Sequence, residues 1–281
     1  MTESDGRLVV VATPIGNLGD LSPRAAQTLI DADLVAAEDT RRSRVLLDHV
    51  GASTPLESYH EHNEERRTGP LLDRIAAGST VALVTDAGTP GVSDPGYRLV
   101  HAAVERGLTV ESVPGPVAAI QALVLSGLPM DRFAVEGFLP RKASARATRL
   151  AGLAQDPRTL VFYVSPHRAA EDLSAMAEAF GCRSAALARE LTKRYEEVWR
   201  GTLVELAERA SGGVRGEVTV VVAGAPVTEH RAVGDAELAD RVRGLIATGL
   251  PKKQAIAEVA QAAEVPKKRV YQAVLDSAGP R

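Results

Sequence analysis

Cysteine is almost missing: Cys182 stands alone in 281 residues, so no internal disulfide can form and no cysteine-built zinc or iron–sulfur site can be assembled. Such usage fits a reducing compartment, and the cytoplasm is the expected location. Long apolar runs are missing as well. None approaches the roughly 20 residues that a membrane helix requires, so no membrane partner is expected. The polar stretch Met1 to Arg7 runs straight into an apolar segment without a basic region, a hydrophobic stretch and a cleavage site, which disfavours an export signal. Excess charge of either sign is lacking: 33 Lys and Arg stand against 36 Asp and Glu, a net of −3. A uniformly basic coat for nucleic acid is thereby excluded, although local patches remain open.

What is present is an ordinary globular mixture, 45% hydrophobic and 25% charged. At about 150 residues per domain, the length points to two domains or to one with an appendage. Residues 8–12, 34–37, 81–84 and 108–113 read as strands, with helices over 24–32, 70–77 and 97–106 between them. Ser22-Pro23 supplies an N-cap and a first-turn proline for the first helix. A second set follows: strands at 159–164, 184–189 and 218–223, a helix after Ser165-Pro166 closed by Gly181, and a helix over 203–210. This alternation predicts α/β domains with mostly parallel sheets. The expected division is 1–140, 141–230, and a segment without strand signal over 235–281. That last segment reads as short helices over 236–246, 252–263 and 267–275, with a helix-turn-helix character. From Arg241 to Leu275 it carries seven Lys and Arg against two Asp and Glu, so positive charge is gathered there.

Open α/β sheets bind ligands at the carboxyl ends of their strands, so the loops there carry the functional interest. The loop Thr13-Pro14-Ile15-Gly16-Asn17-Leu18-Gly19-Asp20 lacks the G-x-G-x-x-G spacing of a dinucleotide site, which disfavours a nicotinamide cofactor. Twelve residues from Thr85 to Gly96 exceed the two to six that suffice to join a strand to a helix, and unneeded length marks a binding site. Asp86, at that loop's start, is placed to accept hydrogen bonds from a ribose or an ammonium group. Val113-Pro114-Gly115-Pro116-Val117-Ala118-Ala119 feeds a helix whose first residues are small, leaving room for a flat group over free N–H donors.

Seven motifs in order, Thr13 to Leu18, Ala37-Glu38-Asp39-Thr40-Arg41, Ser58 to Glu64, Thr85 to Gly96, Pro114-Gly115-Pro116, Gly137 to Lys142 and Arg189 to Lys193, together resemble the RNA-modifying branch of the tetrapyrrole (corrin/porphyrin) methylase superfamily. The resemblance implies two α/β domains with S-adenosyl-L-methionine folded into the cleft between them, and methyl transfer to a cytidine ribose 2′-oxygen of 16S rRNA in the 30S subunit. A homodimer is the superfamily's habit. Its cofactor contacts map onto Ile15, Asp86, Gly91, Val92, Val117 and Ala118, and in the second domain onto Val164, Ser165, Ala188, Arg189 and Thr219. Many relatives carry a serine or cysteine where this sequence has Val117, so only backbone contacts are expected there.

Methyl transfer from a sulfonium carries its own leaving group and requires no metal, but a ribose hydroxyl must lose its proton. Glu38, Asp39 and His60 are the candidates for accepting it. Phosphate contacts are expected from Arg141, Lys142, Arg146 and Arg149, four cations without an acidic residue among them in the sequence. Lys252, Lys253, Lys267, Lys268 and Arg269, at successive helix starts, are expected to join them. Two alternatives stay open: a precorrin or porphyrinogen C-methyltransferase on the same fold, and a non-catalytic nucleic-acid-binding regulator. The basic segments favour RNA over a small macrocycle.

Overall fold

The computed structural model describes residues 6–226, 233–263 and 265–277. The chain forms two compact units, Met1–Ala225 and Pro226–Arg281. The first begins with β1 (Arg7–Val11), α1 (Pro23–Asp31), β2 (Leu34–Ala37), α2 (Thr40–Val50), β3 (Leu56–Ser58), α3 (Glu64–Ala76), β4 (Thr80–Val84), α4 (Tyr97–Glu105) and β5 (Thr109–Val113). Its five strands lie in the order β3-β2-β4-β1-β5, all parallel. Such a sheet is buried on both faces. Val9, Val11, Val35 and Val84 pack under α1 and α2, while Leu8, Leu34, Val81 and Leu83 pack against α3 and α4. Local chemistry sets the helix ends: the Ser22 hydroxyl accepts from the Ala25 N–H ahead of Pro23, and Asp39 caps α2. The α3 helix starts at Glu64, six residues before the expected Pro70, which falls inside it.

The chain then continues through α5 (Ala118–Ser126), β6 (Phe133–Phe138), α6 (Ala143–Leu153), β7 (Thr159–Val164), α7 (Ala169–Phe180), β8 (Ser184–Arg189), β9 (Glu197–Thr202), α8 (Leu203–Ser211) and β10 (Val218–Val222). These five strands form a second sheet in the order β6-β7-β10-β8-β9. It is mixed, not mostly parallel as the alternation predicts. Only the β6–β7 pairing is parallel; β10 is antiparallel to both β7 and β8, and β9 is antiparallel to β8. Two strands lacked a sequence signal. β6 has solvent on Phe133, Val135 and Phe138 and a register shift before Gly137, and β9 is mostly polar around Trp199. Because β6 already belongs to the second sheet, the boundary expected at residue 140 lies too late. One face of this sheet packs on α6, α7 and α8 through Leu150, Leu173, Met176 and Leu206. The other face receives α5: Ala119, Ala122 and Leu123 pack with Val161, Ala188 and Val221, and Ile15 from the loop after β1 joins the same cluster.

The second unit holds α9 (Asp235–Ala247), α10 (Lys252–Ala262) and α11 (Lys267–Asp276) around Leu238, Val242, Val259 and Val270. The expected ends at 230 and 281 lie outside the described residues. Among those described, no helix is long and apolar enough to cross a membrane.

Candidate active site

The loops after β1, β4 and β5 meet the second sheet and enclose a cavity of about 410 Å³. The loop after β1 is pinned to the long loop after β4: Thr13 and Gly88 exchange backbone hydrogen bonds of 2.8 and 3.1 Å, and the Thr13 hydroxyl donates to the Thr85 carbonyl. Gly88 sits at φ +87°, and a Cβ there would lie 3.5 Å from Ile15. Gly115 is tighter still, since an added Cβ would meet the Ala12 Cβ at 2.8 Å. Glycine lets the Gly115 backbone lie against Ala12, and Gly88 itself lines the cavity.

Of the expected cofactor contacts, Ile15, Val92, Val117, Ala118, Val164, Ser165 and Thr219 line this cavity. Val117 caps α5 without a side-chain hydrogen bond, and Val117 and Ala118 line the cavity with the positive end of the helix dipole behind them. Asp86 and Gly91 instead line an adjoining polar cavity of about 910 Å³. Ala188 and Arg189 line neither cavity. Ala188 is buried beneath the apolar one with Ile15, and Arg189 is occupied by Glu197 at 2.8 Å. Arg189 is thus corrected to a structural ion pair. The sequence reading missed Phe138 and Tyr163, whose rings meet at 5.6 Å, and Asp94, which with Ser93 lies on the wall common to both cavities. Burial pushes the Tyr163 phenol up, with the Ala119 N–H working the other way. Apolar walls, a few convergent polar groups and this volume suit a nucleoside-sized ligand. S-adenosyl-L-methionine, with its flat adenine and polar ends, fits these residues.

The polar cavity holds the expected acid–base candidates, and most are already engaged. Asp39 accepts from the Arg41 N–H at 2.9 Å and pairs with the Arg41 guanidinium at 2.6 Å, which holds its carboxyl well below the usual range. Asp39 is therefore corrected from proton acceptor to helix cap. Glu38 accepts from the Asp86 N–H at 3.2 Å, and Asp86 accepts from the Asp39 N–H at 3.1 Å and pairs with Arg42 at 3.3 Å. His60 lies 3.2 Å by its Nε2 from the Asn63 amide, and its Nδ1 is enclosed without a partner. No group of three or more potential metal ligands stands together among the described residues.

The interdomain cations divide. Arg141 and Lys142 are exposed at the start of α6. Arg149 pairs with Glu136. Arg146 is buried, paired with Glu171 and 3.5 Å from Asp172, so it is corrected from phosphate contact to core ion pair. In the C-terminal unit Lys252, Lys253, Lys267 and Lys268 surround a groove of about 880 Å³ floored by Ile256 and Ala257, with Tyr271 at its side. Arg269 leans instead on Asp235 at 3.0 Å.

Comparison with known proteins agrees with this architecture. Residues 7–207 match the model of the tetrapyrrole (corrin/porphyrin) methylases, and residues 232–278 match the RsmI C-terminal HTH domain. The solved uroporphyrin-III-C-methyltransferase of Thermus thermophilus superposes with a TM-score of 0.57 at 23% identity, covering 78% of this chain and 94% of that one. Proteins named ribosomal RNA small subunit methyltransferase I are far nearer. The one from Pseudomonas aeruginosa is 48% identical over 98% of this chain and 99% of its own length, and that of Mycobacterium bovis is 49% identical over 98% and 96%. The chain belongs to the tetrapyrrole (corrin/porphyrin) methylase family, in the group of ribosomal RNA small subunit methyltransferase I.

Proposed function

We propose that this methyltransferase moves a methyl group from S-adenosyl-L-methionine to the ribose 2′-hydroxyl of a cytidine in 16S rRNA, within the 30S subunit, in the cytoplasm. The observation that carries the reading is the near-complete match, close to half identical, to proteins named for the small-subunit RNA. A solved uroporphyrin-III C-methyltransferase of Thermus thermophilus is complexed with S-adenyl homocysteine, which supports S-adenosyl-L-methionine as the methyl donor, and the apolar cavity is the one whose walls suit it. There Ile15, Val92, Val117, Ala118, Val164, Ser165 and Thr219 hold it, with Tyr163 and the α5 N–H groups at its polar atoms. The adjoining polar cavity receives the acceptor nucleotide. Direct displacement asks the protein mainly to align oxygen, methyl carbon and sulfur, and two cavities with a common wall provide that alignment.

RNA phosphates fall to cations without carboxylate partners. Among the described residues, Arg141 and Lys142 in the first unit and the four lysines of the C-terminal groove fit that requirement. The test is chemical: unmodified 30S subunits are incubated with enzyme and S-adenosyl-L-methionine, and their RNA is digested to nucleosides for mass spectrometry. The expected product is 2′-O-methylcytidine. A base-methylated nucleoside, or no new product, would overturn the reading.

A further inference from the structure

A proton must leave the acceptor hydroxyl, and the carboxylates nearest in sequence to the recognisable motifs are tied up in their own hydrogen bonds. Asp94 is not. It makes no hydrogen bond or ion pair among the described residues, and it is the one carboxylate on the wall common to the apolar and polar cavities. The backbone is bent to put it there. Ser93, just before it, holds φ +64°, which non-glycine residues seldom adopt, and Gly91 and Gly96 flank the bend at φ +85° and +136°. Strain of this kind persists where the surrounding structure over-determines a conformation, and it gathers at functional sites.

We propose that Asp94 is the proton acceptor of the methyl transfer. The inference rests on the methyltransferase reading above. A lone pair of the acceptor oxygen forms the new bond to the methyl carbon, the electrons of the carbon–sulfur bond stay on sulfur, and the O–H proton passes to an Asp94 carboxylate oxygen. Loss of the sulfonium charge and of the carboxylate charge balance, and the proton then leaves to water. No further reactant is needed.

The surroundings suit the task. Burial, and then the charges of Glu38 after β2 and Asp86 after β4, push the Asp94 carboxyl up to about 7. Arg42 from α2 is spent on Asp86, and Tyr163 from β7 faces Asp94 as a neutral phenol. A base poised near the operating pH combines a useful ionised fraction with real proton affinity. Asp39, held far lower by Arg41, has neither use.

The experiment compares wild type with Asp94→Asn and Asp94→Glu in the full-length protein. Calorimetry reads S-adenosyl-L-methionine affinity, and single-turnover transfer to 30S subunits is followed from pH 5.5 to 8.5. Because His60, His62 and His101 line the same cavity, the assignment is read from the difference between profiles. The expected result is a wild-type rate that climbs about tenfold per pH unit and levels off above about pH 7, and a D94N rate about 10²–10⁴-fold lower without that climb. D94N should keep affinity for the methyl donor within about threefold, and D94E should restore part of both rate and pH dependence. A D94N rate or profile matching wild type overturns the assignment. So does loss of donor affinity in both variants, which would make Asp94 a cofactor contact. Failure of wild type to label 30S RNA would be a different failure, overturning the methyltransferase reading itself and the inference with it.

Discussion

Arg146 is a cation that does not reach solvent: its side chain is 6% exposed and that of Asp172 beside it 4%. Removing one partner of a buried pair leaves the other uncompensated, at a cost of about 3–5 kcal/mol. Arg146→Ala should therefore lower the free energy of urea unfolding by that order, whereas Arg141→Ala should leave it within about 0.5 kcal/mol. Equal stability of the two variants would return Arg146 to the surface. The sequence could not reveal this, because Glu171 and Asp172 lie 25 and 26 residues away on α7 and only the packing of α6 against α7 brings them in. Asp94 was illegible for a similar reason. Its role depends on two cavities meeting, while its sequence context reads as a turn. A second consequence of its raised carboxyl concerns stability. Between about pH 4 and about 7 the unfolded chain ionises this group before the folded one does, so the protonated group's contribution fades as pH rises through the folded value. Asp94→Asn should accordingly melt higher than wild type above pH 7, with the gap closing toward pH 4. A gap that widens on acidification would contradict the assigned shift.

At the level of elements, the loops were more legible than the strands. Excess length and small residues drew attention to residues 13–20, 85–96 and 113–119, and all three stretches contribute to the wall of the apolar cavity. The second sheet was less legible. β6 is open to solvent on one side and β9 is a polar edge strand, so neither shows the apolar run of a central strand, and the reversal of β10 is set by pairing rather than by any local signal. The loop into α5 offers a direct test. Gly115→Ala puts a Cβ 2.8 Å from the Ala12 Cβ, so the loop must move. The expected cost is about 1–3 kcal/mol in stability, together with weaker S-adenosyl-L-methionine binding by calorimetry. Unchanged affinity would show that α5 does not position the methyl donor.

Across the whole molecule, charge and chemistry are divided. The first unit carries the cavities, and the lysine-rimmed groove lies in the C-terminal helices. Replacing Lys252, Lys253, Lys267 and Lys268 by Ala in the intact chain should leave affinity for the methyl donor unchanged. It should also reduce the log–log salt slope of 16S rRNA binding by up to about 3, at about 0.7 per phosphate neutralised on a single strand. A slope equal to wild type would move the RNA path to another face.

An enzyme built on a tetrapyrrole methylase fold is expected here to act on ribosomal RNA. The most direct test gives the enzyme tritiated S-adenosyl-L-methionine with 30S subunits, deproteinised 16S rRNA and a mixture of tetrapyrroles in parallel. Label is expected in the 30S RNA, retained at a cytidine ribose after nuclease digestion, and none in the macrocycles. Label confined to the tetrapyrroles would contradict it.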